Sequence, residues 1–443
     1  MKQYGSWGRF PKAKHFGVIP VHWRHELPDL RSLKKPVLPY GQGRSYGDCC
    51  LNEEGFLLDT SGLCRFVAFD EQRGVLRCEA GVTLYELLQL TIPKGWFLPV
   101  TPGTQFVSVG GAIANDVHGK NHHCAGTFGR YVLQFELARS DGRLYLCSPN
   151  QHSQLYEATI GGMGLTGLIL WAELQLKRVQ SPYLMVEEIP FGDVQEFFEL
   201  SAHSDRQYEY TVAWVDCLAR GPNLGRGVFF RGNHESQPSV NGHQPRAPIL
   251  GLPCDMPGTL LNRATVELFN RFYFQRKRFA SRAPKRVHYQ PFFYPLDLIR
   301  NWNRLYGSRG FLQYQCVVSQ DTKQATREIL NCVSQSGEGT FLAVLKTFGK
   351  IPSPGKLSFP RPGVTLALDF PYRGQRTLKL LDSLDNMVQQ AGGAVYPAKD
   401  ARMTAERYQT YFPGWKAFSS WIDPKFSSSL WRRVTGSSET MPA

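Results

Sequence analysis

The stretch GGAIANDVHGKNHHCAGTFG, residues 110–129, places five glycines and three histidines in twenty positions. Its first half is stripped of side chains, and His118, His122 and His123 stand at its rim. Small residues let a backbone run against another backbone or a bound group at contact distance. Upstream, YGQGRSYGDCC (40–50) has the same texture, and TPGTQFVSVGG (101–111) leads into the opening stretch. Glycine-opened turns align successive amides into anion-binding concavities, and Ser or Gly at a helix start lets a pyrophosphate meet the first amides. On this reading Gly41, Gly43 and Gly47 free the upstream loop, and Ser108, Gly110 and Gly111 begin the helix after the second. Composition alone fits tight turns and close helix packing equally well. Two such loops, separated by strands and ending in polar residues, favour a bound cofactor. Neither common nucleotide signature matches: GQGRSYG is spaced GxGxxxG, and GxxxxGK[ST] is absent.

Around these loops the first 180 residues alternate short strands and glycine turns. FLLD (56–59), VLRCE (75–79), YVLQFELA (131–138), RLYLC (143–147) and LILWAELQL (168–176) read as strands, with SDGR (140–143) as a hairpin turn. Thr83 and Glu86 have capping-box spacing at the head of TLYELLQL (83–90), which predicts a helix start. From about 183 to 393 aromatic strands (208–217, 311–318, 340–348, 364–370) join longer helices near 322–333 and 376–391, the pattern of an antiparallel sheet with helices on one face. The fold class is therefore α+β in two domains. The segment 231–258, rich in Pro, Gly, Asn and Ser, reads as a mobile loop or lid. The tail from about 394 is too short for a core of its own and should pack back on an earlier domain.

Composition narrows the partners. The chain has 443 residues and a formal net charge of +14, which favours anionic ligands. Its basic residues are dispersed and no nucleic-acid-binding pattern appears, so a phosphorylated substrate or an acidic membrane surface fits better than nucleic acid. No apolar run reaches a membrane span and no secretory signal opens the chain, which points to the cytoplasm, with peripheral association at the inner membrane as a second option. Ten scattered cysteines without CxxC read as reduced core thiols.

The strings GRSYGD (43–48), TPGT (101–104), VGGAIANDVHGKNHH (109–123), GGMGLTG (161–167) and YPAKDAR (396–402) resemble the flavin-binding domain of the vanillyl-alcohol oxidase and p-cresol methylhydroxylase superfamily. Within it the chain is most similar to the decaprenylphosphoryl-β-D-ribose 2-oxidase family, and WNRLYG (302–307), FLQYQ (311–315), LSFP (357–360) and Asp423–Pro424 extend the likeness nearly end to end. The resemblance implies an FAD domain from residues 1–182 and 394–443, and a substrate domain from 183–393. It assigns cofactor contacts to Gly41, Gly43, Arg44, Ser45, Tyr46, Gly47 and Asp48 in the first loop. Gly103, Ser108, Gly110, Gly111, Asn115 and His118 follow in the second, with Gly164, Ile169 and Tyr396 beyond. Many superfamily members carry a flavin-bonding histidine where this chain has Ser45 and Tyr46, so the FAD should be noncovalent.

The same resemblance makes Lys399, His118 and Tyr46 catalytic, and lines a sugar pocket with Trp214, Gln313, Gln315, Lys346, Asp369 and Lys120. On base rates Lys399 is a solvated charge and Trp214 a core aromatic; the family motifs argue otherwise. Lys399 could act as base or as fixed positive charge. Lys346, charged within an apolar strand, needs a carboxylate or phosphate partner. His118 and His122 have the i, i+4 spacing of a metal pair, but Gly119 breaks the helix such a pair needs and no further ligands gather, so no metal is expected. In mycobacterial members a cysteine stands where this chain has Ala367. The implied reaction oxidises the 2-hydroxyl of a polyprenylphosphoryl-ribose to a keto sugar, which a separate short-chain dehydrogenase/reductase would reduce to the arabinose epimer. The alternatives are an FAD-dependent oxidase of a soluble alditol or sugar lactone, and a basic surface-binding protein with no enzymatic role.

Overall fold

The computed structural model describes residues 3–238, 250–281, 283–318 and 323–436. In the N-terminal part, Phe56–Asp59 pairs in parallel with Gly17–Pro20 on one side and Val37–Tyr40 on the other. A five-stranded antiparallel sheet follows, in which Leu168–Gln175 sits centrally between Val75–Glu79 and Val132–Ala138. Its near-continuous apolar run is explained by that position, since six of its eight residues are buried. The predicted hairpin turn joins Val132–Ala138 to Leu144–Cys147, and Gly142 takes the left-handed conformation the turn requires (φ +77°). Helix Leu84–Thr91 starts at the expected capping box, with Thr83 and Glu86 bonded reciprocally.

The second sheet has eight strands in the spatial order Lys285–His288, Tyr183–Phe191, Gly227–His234, Tyr210–Val215, Ala343–Phe348, Gly363–Pro371, Phe311–Val318 and Ala394–Val395. Every pairing is antiparallel. Side chains alternate across it with period two. Leu312, Tyr314, Leu345, Leu366 and Leu368 face helices Val194–Ser204, Lys323–Ser336 and Gln375–Gln390 in the largest core cluster. Trp214, Gln313, Gln315, Lys346, Ala367 and Asp369 face the other way. Strand register sets these side by side: Gln313 lies opposite Asp369, Gln315 opposite Ala367, and Trp214 opposite Val344. One face is thus an apolar seat for helices, and the other a polar wall.

Three expectations are corrected here. Residues 231–234 of the expected loop belong to strand Gly227–His234, where Arg231 pairs with Glu187 at 2.7 Å, and Leu250–Gly251 pairs in parallel with Ile299–Arg300. Residues 239–249 of that loop lie outside the described residues. The tail begins as an edge strand of the eight-stranded sheet, Cys316 opposite Val395, before it returns to the N-terminal part, where helix Ser429–Thr435 packs on Asp48–Cys50. Finally, the cysteines are free thiols but not all core residues: Cys64, Cys124 and Cys254 are exposed.

Candidate active site

Between the two sheets lies a cavity of about 1070 Å³, at the upper end of the roughly 300–1,000 Å³ of ordinary ligand sites. Its N-terminal wall is made of the two glycine ribbons, with Thr60, Ala80, Gly164 and Ile169 behind them. Glycine serves two purposes there. At Gly41 a β-carbon would collide with Ser108 Oγ, and at Gly110 it would meet Ala80 Cβ at 3.0 Å, so these two let the ribbons and the sheet approach each other. Gly43 takes a left-handed φ of +60° against Tyr40. At Gly103, by contrast, a β-carbon would touch nothing within 4 Å, and at Gly111 only Ser108 Oγ at 3.1 Å. Those two keep cavity space open. Ser108 caps helix Val109–Ala114 by accepting from Gly111 N–H, as read from sequence.

Of the sequence-predicted residues, two do not line the cavity. Gly47 lacks a β-carbon because one would collide with Asp400 O, which brings the first loop against the tail turn. Asp48 is buried behind the wall, where Arg433 bridges it and Asp400, each at 2.8 Å. These contacts hold the wall together rather than face a ligand. Their consequence is that Tyr46 N–H donates to Ala398 O (3.0 Å), and Lys399 Nζ rests 3.7 Å from the centre of the Tyr46 ring.

Across from the ribbons stands the polar face of the sheet. His118 Nε2 accepts from the Gln315 amide at 2.8 Å, so Nδ1 carries the proton, and that atom is buried without a partner among the described residues. Burial, then the charges of Lys346, His122 and Lys399, holds the imidazole well below its ordinary pKa, hence neutral. Burial lowers Lys399 to about 7, with Asp369 opposing and Lys346 adding to the shift. Asp369 is pushed up to about 7 by burial; its Oδ1 accepts from Gln313 Nε2 at 2.5 Å, and its Oδ2 has no partner among the described residues. Lys346 is lowered to about 8 by burial, and none of the described residues forms a hydrogen bond or ion pair with it. Lys120, lowered to about 7 by burial and by Lys346, donates to Phe292 O and lies 4.5 Å over the Phe292 ring. Trp214 lines the wall with its indole N–H given to Phe341 O at 2.9 Å.

The rim histidines have a different task. His122 Nδ1 accepts from Gly349 N–H (3.2 Å), and His123 Nε2 meets Tyr208 O (3.0 Å), latching the glycine segment to the second sheet. His118 lies outside helix His122–Ala125, in an isolated bridge with Thr127, so His118 and His122 do not share a helical face.

Some lining residues carried no motif. Arg44 was expected, but its environment was not: its guanidinium lies 4.2 Å over Trp7 and 5.3 Å from the Phe106 ring centre, and its buried Nε has no partner among the described residues. Asp297, raised to about 6 by burial, accepts from Gln105 N–H at 2.8 Å and faces the same cavity. Trp7 precedes the first strand and Asp297 sits in a short helical turn; only distant contacts bring them here.

The N-terminal wall fits a flavin dinucleotide. Gly103 and Gly111 leave room along the ribbon, Arg44 offers an unpaired donor, and Tyr396, whose hydroxyl donates to Asn115 O at 2.8 Å, fixes the ribbon from the far side. The comparisons agree. The FAD binding domain family matches residues 27–148, which hold both ribbons. Decaprenylphosphoryl-beta-D-ribose oxidase of Mycolicibacterium smegmatis is 35% identical over 417 residues, 90% of this chain and 89% of that protein. The Streptomyces coelicolor protein in the mprA 5' region is 34% identical over 80% of this chain and 100% of its own, and mouse L-gulonolactone oxidase 25% over 48% of each. The chain therefore belongs to the decaprenylphosphoryl-β-D-ribose oxidase family and is an FAD-dependent oxidoreductase acting on a CH–OH group.

Proposed function

We propose that this chain oxidises the 2-hydroxyl of a polyprenylphosphoryl-ribose to a 2-keto sugar. The observation that carries the reading is the continuity of one cavity from the glycine ribbons, past Lys399, to an apolar rim at Leu260 and Phe269. Gly103, Ser108, Gly111, Asn115 and Arg44 would hold FAD, which would supply the hydride acceptor. Lys399, with a pKa near 7, takes the hydroxyl proton at Nζ, since a base works best when its pKa lies near the working pH. Neutral His118 offers its Nδ1–H as donor to the substrate oxygen, and Gln315 fixes that tautomer. Gln313 and Asp369 position the remaining sugar hydroxyls, and Lys346 with Lys120 meets the anionic group. Burial raises Cys49 to about 12 and Cys50 well above the usual thiol range, so these thiols stay protonated, which supports noncovalent FAD.

The test is anaerobic mixing with polyprenylphosphoryl-ribose while following flavin absorbance, with Lys399→Ala as control. Bleaching by the lipid-linked sugar supports the reading. Bleaching by free alditols or sugar lactones, without bleaching by the lipid-linked sugar, selects the alternative. The keto product then calls for a reductase of the short-chain class delivering hydride to the opposite face, so that the pair epimerises ribose to arabinose. Peripheral association with a membrane supplies the lipid substrate.

A further inference from the structure

The helix Arg263–Arg278 is apolar on two faces. Its inner face buries Val266 and Phe274, while Phe269, Tyr273 and Lys277 border the cavity. Its outer face is uncovered among the described residues: Leu268 is 71% exposed, Phe272 67%, and Phe279, one residue past the helix end, 83%. Spacings of four and seven put these three on one stripe. Arg276 falls on the same stripe and Arg278 beside it. Neither forms an ion pair among the described residues, whereas Arg271 is neutralised by Glu267 at 2.8 Å.

We propose that this outer stripe docks on an anionic lipid bilayer and so sets the cavity mouth against the membrane. Rings and leucines flanked by unpaired arginines are the composition of a helix that lies in the interface, its apolar side chains in the acyl boundary and its cations among anionic headgroups. No described helix is long and apolar enough to cross a membrane, so the contact is interfacial. A second copy of the chain fits the stripe less well, because a two-fold contact would bring the unpaired arginines of two chains at net charge +14 together. The other face of the helix forms the rim of the cavity, so a docked helix places that rim at the depth of a lipid-linked headgroup. This last step rests on the substrate reading above; the docking itself does not.

The test is co-sedimentation of the FAD-loaded full chain with phosphatidylcholine vesicles, with and without about a third phosphatidylglycerol. Wild type should pellet with the anionic vesicles, weakly with the neutral ones, and less at high salt. Arg276→Gln and Arg278→Gln should each weaken binding about fivefold, and the double variant Phe272→Ser, Phe279→Ser should lose it, with flavin bleaching by a short-tailed, water-soluble substrate unchanged. No binding of wild type to anionic vesicles, or equal binding of the Phe variant, overturns the proposal. So does a dimer in light scattering that the Phe variant dissolves in the absence of vesicle binding. Because vesicle binding needs no sugar, its failure leaves the substrate reading standing. Vesicle binding without bleaching by lipid-linked ribose refutes only the substrate.

Discussion

The two walls of the cavity are built on opposite principles. The N-terminal wall is backbone: Gly103 and Gly111 carry no side chains, and so leave cavity space open beside the ribbon. The sheet wall is side chain: Gln313, Lys346 and Asp369 come from three strands and meet only because neighbouring strands hold them in register. A backbone wall is damaged by adding atoms and a side-chain wall by removing them. Substitutions in the first should release cofactor or loosen the fold, and those in the second should slow the reaction with cofactor retained.

The largest effect separates them most clearly. Lys399→Ala should lower the rate of flavin reduction in stopped flow by about 10²–10⁴-fold while FAD content stays unchanged. Equal loss of FAD and rate would erase the distinction. On the other side, Gly47→Ala forces a β-carbon against Asp400 O and should cost about 1–3 kcal/mol in urea unfolding, with FAD lost in step. A full-strength fold carrying this alanine would show that the loop and tail do not meet as described.

Protonation sharpens the contrast, because Lys399 and the charged side chains of the sheet wall titrate and the glycines of the ribbons do not. If neutral Lys399 is the base, flavin reduction rises with pH through about 7 and then levels, and the limb disappears in Lys399→Ala. Lys346 acts on stability as well. Its folded-state pKa of about 8 lies below the ordinary lysine value of 10.5, so between these values the unfolded chain binds more protons and stability rises with pH. Below about pH 8 the buried charge is a standing cost. Lys346→Met should therefore raise the melting temperature of the substrate-free protein at pH 7, by an amount worth up to about 3 kcal/mol, while raising KM. A lowered melting temperature would mean that Lys346 has a partner after all.

What could be read from sequence follows the same division. The glycine ribbons, the Ser108 cap and the capping box at Thr83 are local, so their spacing revealed them. The strands 311–318 and 364–370 were equally plain, because alternation is a short-range signal. Gly47 and Asp48 sit inside the same motif yet bind Asp400 and Arg433 from the far end of the chain, and no local pattern separates a glycine that meets a ligand from one that meets another backbone. Asp297 and Trp7 reach the cavity only through long-range packing and have no motif at all. The edge strand Ala394–Val395 was hidden for a simpler reason: two residues are too few to show a period.

The smallest change tests whether the sheet wall is as open as its lining implies. Ala367 lies opposite both Gln315 and Val344 and faces the cavity, at the position where the family resemblance implies a thiol in mycobacterial members. Ala367→Cys adds one sulfur atom toward open space, so stability should move by no more than about 0.5 kcal/mol. The wild-type chain should show no adduct at this strand with thiol-trapping nitroaromatic compounds, because the two other thiols lining the cavity, Cys49 and Cys50, are held protonated by burial. The cysteine variant should gain one adduct on the peptide containing residue 367, read by mass spectrometry, with FAD retained. An adduct in the variant that also expels FAD would mean that the two walls crowd each other at this point, and that the sheet face and the glycine ribbons serve one ligand rather than two adjoining ones.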